Sequence, residues 1–319
     1  MRVLVTGADG FVGQALVRYL LRAGDEVAAA CQPGGPAVDW RRGVPAPARM
    51  TVLSLEITDD ASIAAALAWQ PEAIVHLAAV ASVRQARQDP GAAWEVNAGG
   101  TARLVAAAAA LREAGQADPL FLLVSTGEVY GAGCGAPAPR TERDPVLPIS
   151  AYAASKVGAE VAALEAWRRT GLRVLVARPF PHTGPGQGTQ YVVPAFVERL
   201  RAARATGAGT VPTGNLEPVR DLLDVRDVVA AYRTLLWKGA AGEVYNVARG
   251  EGISLADLFA RLAALIGTTA MPQPDPALVR VADIPHLVGD STKLRRATGW
   301  APTISLEQLL RGLVDAEAD

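Results

Sequence analysis

Tyr152 and Lys156 stand four residues apart in Tyr-Ala-Ala-Ser-Lys, which puts a phenol and an ammonium on one face of a helix. A lysine beside a tyrosine favours the phenolate and lowers its pKa, so the tyrosine can give or take the proton of a hydroxyl. Upstream, Ser125-Thr126-Gly127-Glu128-Val129-Tyr130-Gly131 adds a hydroxyl at Thr126 and a carboxylate at Glu128, whose plainest role is to cap a helix or loop. Near the N-terminus, Val3-Leu4-Val5 runs into Thr6-Gly7-Ala8-Asp9-Gly10-Phe11-Val12-Gly13 and then into a helical pattern. Residues without a Cβ let the backbone approach a pyrophosphate and let the helix start point its free N–H groups at it. Gly7, Gly10, Phe11, Val12 and Gly13 therefore read as the phosphate-binding turn of a dinucleotide site. Together the two motifs describe proton transfer at Tyr152 while hydride moves to or from a nicotinamide.

These groups need elements to hold them. The first 178 residues alternate short β-branched runs with longer helical patterns, the sequence form of a doubly wound α/β fold with a parallel sheet. Strands are predicted over 2–6, 26–30, 51–55, 73–76, 120–125 and 173–178, and helices over 11–23, 60–69, 92–113 and 151–169. After Arg178 a crowd of prolines and glycines, from Pro179 to Gly188, punctuates the chain. The reading is a Rossmann domain over 1–178 and a smaller C-terminal α/β substrate-binding domain over 179–319, with some chain crossing back. In the second part, helices are expected over 192–205, 225–237, 255–266 and 306–316, with a strand over 243–247. Ser254 and Ser305 suit N-caps, and Gly267 and Gly299 suit C-terminal stops.

The choice between NAD and NADP stays open. An acid at the end of the second strand would bond the ribose 2′-hydroxyl of NAD, and an arginine would accommodate the 2′-phosphate of NADP. Cys31 and Gln32 stand there instead, with Arg41 and Arg42 in the following loop. Glu56 and Ile57, after the third strand, are placed to contact the adenine. Leu77, Ala78 and Ala79, after the fourth, offer small residues beside the cofactor.

Composition excludes other classes. The 31 basic and 32 acidic residues leave a formal charge of −1, with no electrostatic footprint for nucleic acid or an anionic membrane. Cys31 and Cys134 form no metal-binding spacing and no disulfide framework, which suits a reducing cytoplasm. The chain shows no secretory leader pattern and no apolar stretch long enough to span a bilayer, so the expectation is a soluble cytoplasmic protein.

In order and spacing, the glycine turn, Leu77-Ala78-Ala79, Ser125-Thr126 with Val129-Tyr130-Gly131, Tyr152 with Lys156, and Arg178-Pro179-Phe180 resemble the extended short-chain dehydrogenase/reductases. The resemblance to this family of NAD-dependent epimerases and dehydratases covers essentially the whole chain. It implies that Thr126 bonds the sugar O4, that Tyr152 is the acid/base and that Lys156 holds the cofactor ribose. It also places Arg178 in the cofactor-binding set. It implies a homodimer through a helix pair that includes the Tyr152 helix, on which Val157 and Val161 are apolar. For Glu128 it implies removal of the sugar C5 proton in 4,6-dehydratases, although 4-keto reductases carry a Glu here too. Gly127 replaces the acid that glucose-type dehydratases place just before it.

The segments 182–187, 214–221 and 280–290 resemble those with which enzymes of GDP-mannose-type sugars surround the nucleotide diphosphate. They nominate His182, Asn215, Arg220 and Arg280 for the substrate, the arginines because a planar fork supplies several charge-assisted donors. His182 reads as a positioning or packing residue. Pro181 stands where the family usually has an asparagine. Asp224 and Asp227, flanking Arg226, are expected to lock their loop to the following helix. The activity the resemblance implies first is reduction of a GDP-4-keto-6-deoxyhexose. GDP-mannose-type 4,6-dehydration comes second and 4-epimerisation third, and the contrasting reading is a catalytically inactive NAD(P)-binding scaffold.

Overall fold

The computed structural model describes residues 1–40, 42–44, 49–135, 138–279 and 283–316. Its first part runs β1 (Arg2–Thr6), α1 (Phe11–Arg22), β2 (Glu26–Cys31), β3 (Met50–Ser54), α2 (Asp60–Leu67) and β4 (Ala73–His76). There follow α3 (Val83–Gln88), α4 (Pro90–Trp94), a π-helical segment (Glu95–Gly100), α5 (Thr101–Glu113) and β5 (Leu120–Val124). A 3₁₀ segment (Gly127–Gly135), α6 (Ala151–Thr170) and β6 (Val174–Pro179) complete it. The rest comprises β7 (His182–Thr183), α7 (Val192–Thr206), β8 (Thr210–Thr213), β9 (Val219–Asp221), β10 (Leu223–Asp224), α8 (Val225–Lys238) and β11 (Val244–Val247). It ends with β12 (Gly252–Ser254), α9 (Leu255–Ile266), β13 (Met271–Pro274), β14 (His286–Leu287), α10 (Thr292–Thr298) and α11 (Leu306–Asp315).

A seven-stranded parallel sheet in the order β11-β6-β5-β4-β1-β2-β3 forms the centre. Its inner strands are continuous apolar runs because both faces are covered. Alternation along β1 sends Val3 and Val5 to one face, with Leu16, Leu20, Val228 and Leu235 of α1 and α8. Leu4 goes to the other face, with Ile63, Leu104, Ala108, Ala159 and Ala163 of α2, α5 and α6. A third core joins α7, α9 and α11 through Phe196, Leu200, Leu258, Phe259, Leu262 and Leu309.

The chain after residue 178 serves both bodies. α8 covers the large sheet, and the strand expected over 243–247 is β11, the sheet's edge, paired in parallel with β6. The expected helix over 92–113 is broken instead into α4, the π segment and α5. Asp89 caps α4 and Pro90 opens it. At Gly100 a side chain would meet Ile57 at 2.9 Å, so the Ile57 side chain packs directly on the bare helix backbone. Ser254 and Ser305 cap α9 and α11, and Gly267 and Gly299 close α9 and α10 in the left-handed region. Asp224 caps α8, while Asp227 accepts from the N–H groups of Thr303 and Ile304 and so fastens α8 to the C-terminal segment.

Candidate active site

Strand order reverses between β1 and β4, and a crevice opens beyond the carboxyl ends of the strands there. It is a cavity of about 850 Å³ between the large sheet and the smaller lobe. Gly7 takes a left-handed φ of 64°, and a Cβ on it would stand 2.8 Å from the Ala78 nitrogen. A Cβ on Gly13 would collide with the Gly7 carbonyl oxygen, so α1 leaves the strand at backbone contact. Gly10 caps α1 without a side-chain acceptor, which leaves the first-turn N–H groups for an anion. Phe11, Val12, Gln32, Glu56, Ile57, Leu77, Ala78 and Ala79 line the same cavity.

Thr126, Glu128, Tyr152 and Lys156 line its inner end. β5 delivers Thr126, and Ser150 caps α6 so that Tyr152 sits in its first turn with Lys156 one turn on. Thr126 Oγ1 accepts from the Glu128 N–H at 3.2 Å and stands beside the Tyr152 phenol. Burial pushes the Tyr152 phenol up, and the Glu128 carboxylate adds to it, while the Thr126 hydroxyl opposes them. In the protein alone the phenol is therefore raised and not lowered as expected, because burial penalises the phenolate. Burial also takes Lys156 down to about 8, with Glu160 pulling the other way.

A polar network that the motif reading missed holds these groups. Thr6 Oγ1 accepts from the Leu77 and Ala78 N–H groups and therefore donates to His76 Nδ1 at 2.8 Å. Thr101 donates to the Asn97 carbonyl at 2.6 Å, so it accepts from His76 Nε2 at 3.0 Å, which sets the tautomer. Burial takes His76 down to about 3, so it stays neutral. Asn97, in the π segment, bonds both Val80 main-chain groups and Ser155, and Ser155 donates to the Tyr152 carbonyl. This ties the loop after β4 to the Tyr152 helix. π-helical turns gather at functional sites, and no apolar period announces one.

Two nominated residues differ from expectation. Arg178 is not a cavity residue; it is buried, its Nε and Nη2 donating to Glu160 at 2.9 and 2.6 Å and its Nη1 to the Tyr130 hydroxyl at 3.0 Å. A fork that matches a carboxylate this well is committed to joining β6 to α6. Asn215 does not line the cavity either, since its Oδ1 accepts from the Glu217 N–H in a local turn. Arg280 lies outside the described residues, as does Arg41. Arg220 does line the cavity, held by Asp283 and by the Ile284 carbonyl. His182 lines it too, with Nδ1 bonded to the Phe180 carbonyl at 2.9 Å and its pKa lowered by burial. Pro181 is part of the wall, its carbonyl taken by the Leu223 N–H.

Gly127 leaves little room for a side chain: a Cβ there would stand 3.1 Å from the Phe180 ring, which would have to give by a few tenths of an ångström. Phe180 is itself buried and stacked on Tyr130. On the opposite wall, the buried hydroxyls of Tyr232 and Thr183 have no hydrogen-bond partner among the described residues. Orphaned buried hydroxyls are costly and suit a wall built for the polar atoms of a ligand such as a dinucleotide.

The family model described as GDP-mannose 4,6 dehydratase matches residues 4–313. The chain is 35% identical over 316 residues to GDP-6-deoxy-D-mannose reductase of Pseudomonas aeruginosa, covering 98% of this chain and 96% of the relative. It superposes on the structure of RMD from Pseudomonas aeruginosa complexed with NADPH with a TM-score of 0.81 at 32% identity, over 98% and 97% of the two chains. UDP-glucose 4-epimerase of Thermus thermophilus, solved with NAD, gives a TM-score of 0.84 at 31% identity over 99% and 98%.

Proposed function

Since the chain belongs to the GDP-mannose 4,6-dehydratase family, we propose that it is an NAD(P)-dependent reductase of a GDP-4-keto-6-deoxyhexose. The observation that carries this is the convergence of Thr126, Tyr152 and buried Lys156 on one end of the cavity, next to a glycine at 127 against which Phe180 packs. When bound, reduced nicotinamide supplies hydride to the sugar C4. Thr126 orients the oxygen on that carbon, and Tyr152, whose raised pKa keeps it protonated, gives it a proton. Lys156 stabilises the resulting phenolate and helps its reprotonation. The glycine turn takes the dinucleotide pyrophosphate, and Arg220 and His182 face the sugar nucleotide from the smaller lobe.

Glu128 supports a second reading, 4,6-dehydration, because its carboxylate lines the cavity close enough to Tyr152 to raise that phenol. Against the glucose-type reaction stands Gly127, which carries no acid where those enzymes place the leaving-group acid and against which Phe180 packs closely. Purified protein given GDP-4-keto-6-deoxymannose with NADPH or NADH, and separately GDP-mannose, distinguishes the two by nicotinamide absorbance and product mass. Cofactor consumption with the keto sugar alone supports the reductase. Loss of water from GDP-mannose without net consumption makes it a dehydratase.

Two copies pair through the outer face of α4 and α6. Trp94 is 47% and Val161 63% exposed there, whereas Val157 is packed inward against the Tyr130 cluster. No helix among the described residues is long and apolar enough to cross a membrane, and both cysteines are unbridged, which fits work in a reducing cytoplasm.

A further inference from the structure

Asp9 lies inside the glycine turn and shares the dinucleotide end of the cavity with Gln32 and Pro36. The turn crosses the end of β2: the Ala8 N–H donates to the Ala30 carbonyl at 3.1 Å, which sets Asp9 beside Cys31. The carboxylate follows the same path. It acts electrostatically on Cys31, and its Oδ2 stands 2.7 Å from where a Cβ on Gly35 would be. It therefore occupies the space just beyond β2, where dinucleotide-binding folds commonly present an acid from the strand itself. The strand here offers only Cys31 and Gln32, neither of which carries a negative charge on an oxygen. Gly35, without a side chain, leaves that carboxylate room on the loop side.

We propose that Asp9 selects the dinucleotide, its carboxylate accepting the adenosine ribose 2′-hydroxyl of NADH and repelling the 2′-phosphate of NADPH. This rests on the dinucleotide-dependent reading above and goes beyond it by choosing between the two cofactors. A hydroxyl donated to a carboxylate is among the stronger neutral-to-ionic hydrogen bonds, and a phosphate in its place sets two anions against each other at short range. A serine or asparagine in place of Asp9 keeps the turn's backbone and removes the charge.

The test measures dissociation constants of NADH and NADPH on the full chain and on Asp9→Asn and Asp9→Ser, by nucleotide fluorescence without sugar substrate. ADP-ribose and 2′-phospho-ADP-ribose, which lack the nicotinamide, are measured alongside by calorimetry. The expected wild-type result is NADH bound about 10-fold or more tightly than NADPH. The ADP-ribose pair should show the same ratio. Both variants should narrow the gap, chiefly by tightening NADPH, and the wild-type preference should shrink as salt rises. Equal wild-type affinities, or a ratio unchanged by the substitutions, overturns the role of Asp9 and leaves the dinucleotide reading standing. Failure of the wild type to bind either dinucleotide overturns both.

Discussion

Tyr152 is asked to be a proton donor, and its surroundings agree with that task more than with a standing phenolate. Burial and the Glu128 carboxylate hold the proton on it, with the Thr126 hydroxyl opposing them only in part. Tyr152→Phe should lower kcat by about 10²- to 10⁴-fold, the usual span for general acid–base catalysis, while the dinucleotide dissociation constant stays within about twofold. Steady-state kinetics with the keto sugar and binding without it would separate the two effects. Lys156, brought down to about 8, loses its ammonium as pH rises through that value. Its help to the phenolate is therefore present below about pH 8 and lost above it. A pH–rate profile should fall on the alkaline side, and a flat profile through pH 9 would exclude this role for the lysine.

At the level of elements, α6 is the part on which most of the site depends. It carries Tyr152 and Lys156 on its first turns and is tied at Ser155 to Asn97 and at Glu160 to Arg178 and Ser125. The Glu160–Arg178 pair is buried on both sides, and removing one partner of such a pair typically costs about 3–5 kcal/mol because a charge is left without compensation. Glu160→Gln should lower the melting temperature by several degrees. It should also move the alkaline limb of the rate profile to lower pH, since Glu160 is the group that raises Lys156. Melting curves and a repeated pH profile test both halves; a lower melting point with an unmoved limb would confine Glu160 to stability. Asn97 reaches α6 only because the helix around it widens into a π turn, so the irregular segment is part of the positioning device.

For the whole molecule, the two bodies meet over the cavity, and the chain passes from one to the other more than once. α8 and β11 belong to the large sheet although they follow the proline- and glycine-rich crossing after β6. The exposed Trp94 and Val161 leave an apolar face on the outer side of α4 and α6. Val161→Asp should convert a two-chain particle into a single chain by light scattering, with the dinucleotide dissociation constant unaffected because residue 161 faces away from the cavity. A wild-type protein that is already a single chain at micromolar concentration would remove the dimer.

The sequence by itself determined the parts in which function is local in the chain. The glycine turn works through backbone within seven consecutive residues, and Tyr152 with Lys156 through one helical turn, so type and spacing alone described both. The strands of the buried sheet were legible for a related reason: a strand covered on both faces must be a continuous apolar run. What only the tertiary structure decided depends on residues far apart in the chain. Arg178 looked available until Glu160 and Tyr130 came within reach, and Gly127 took on meaning once Phe180 lay against it. β11 joined the large sheet through pairing with β6, since a four-residue strand carries no mark of the sheet it will enter. The place of Asp9 was decided only when its turn was laid across the end of β2.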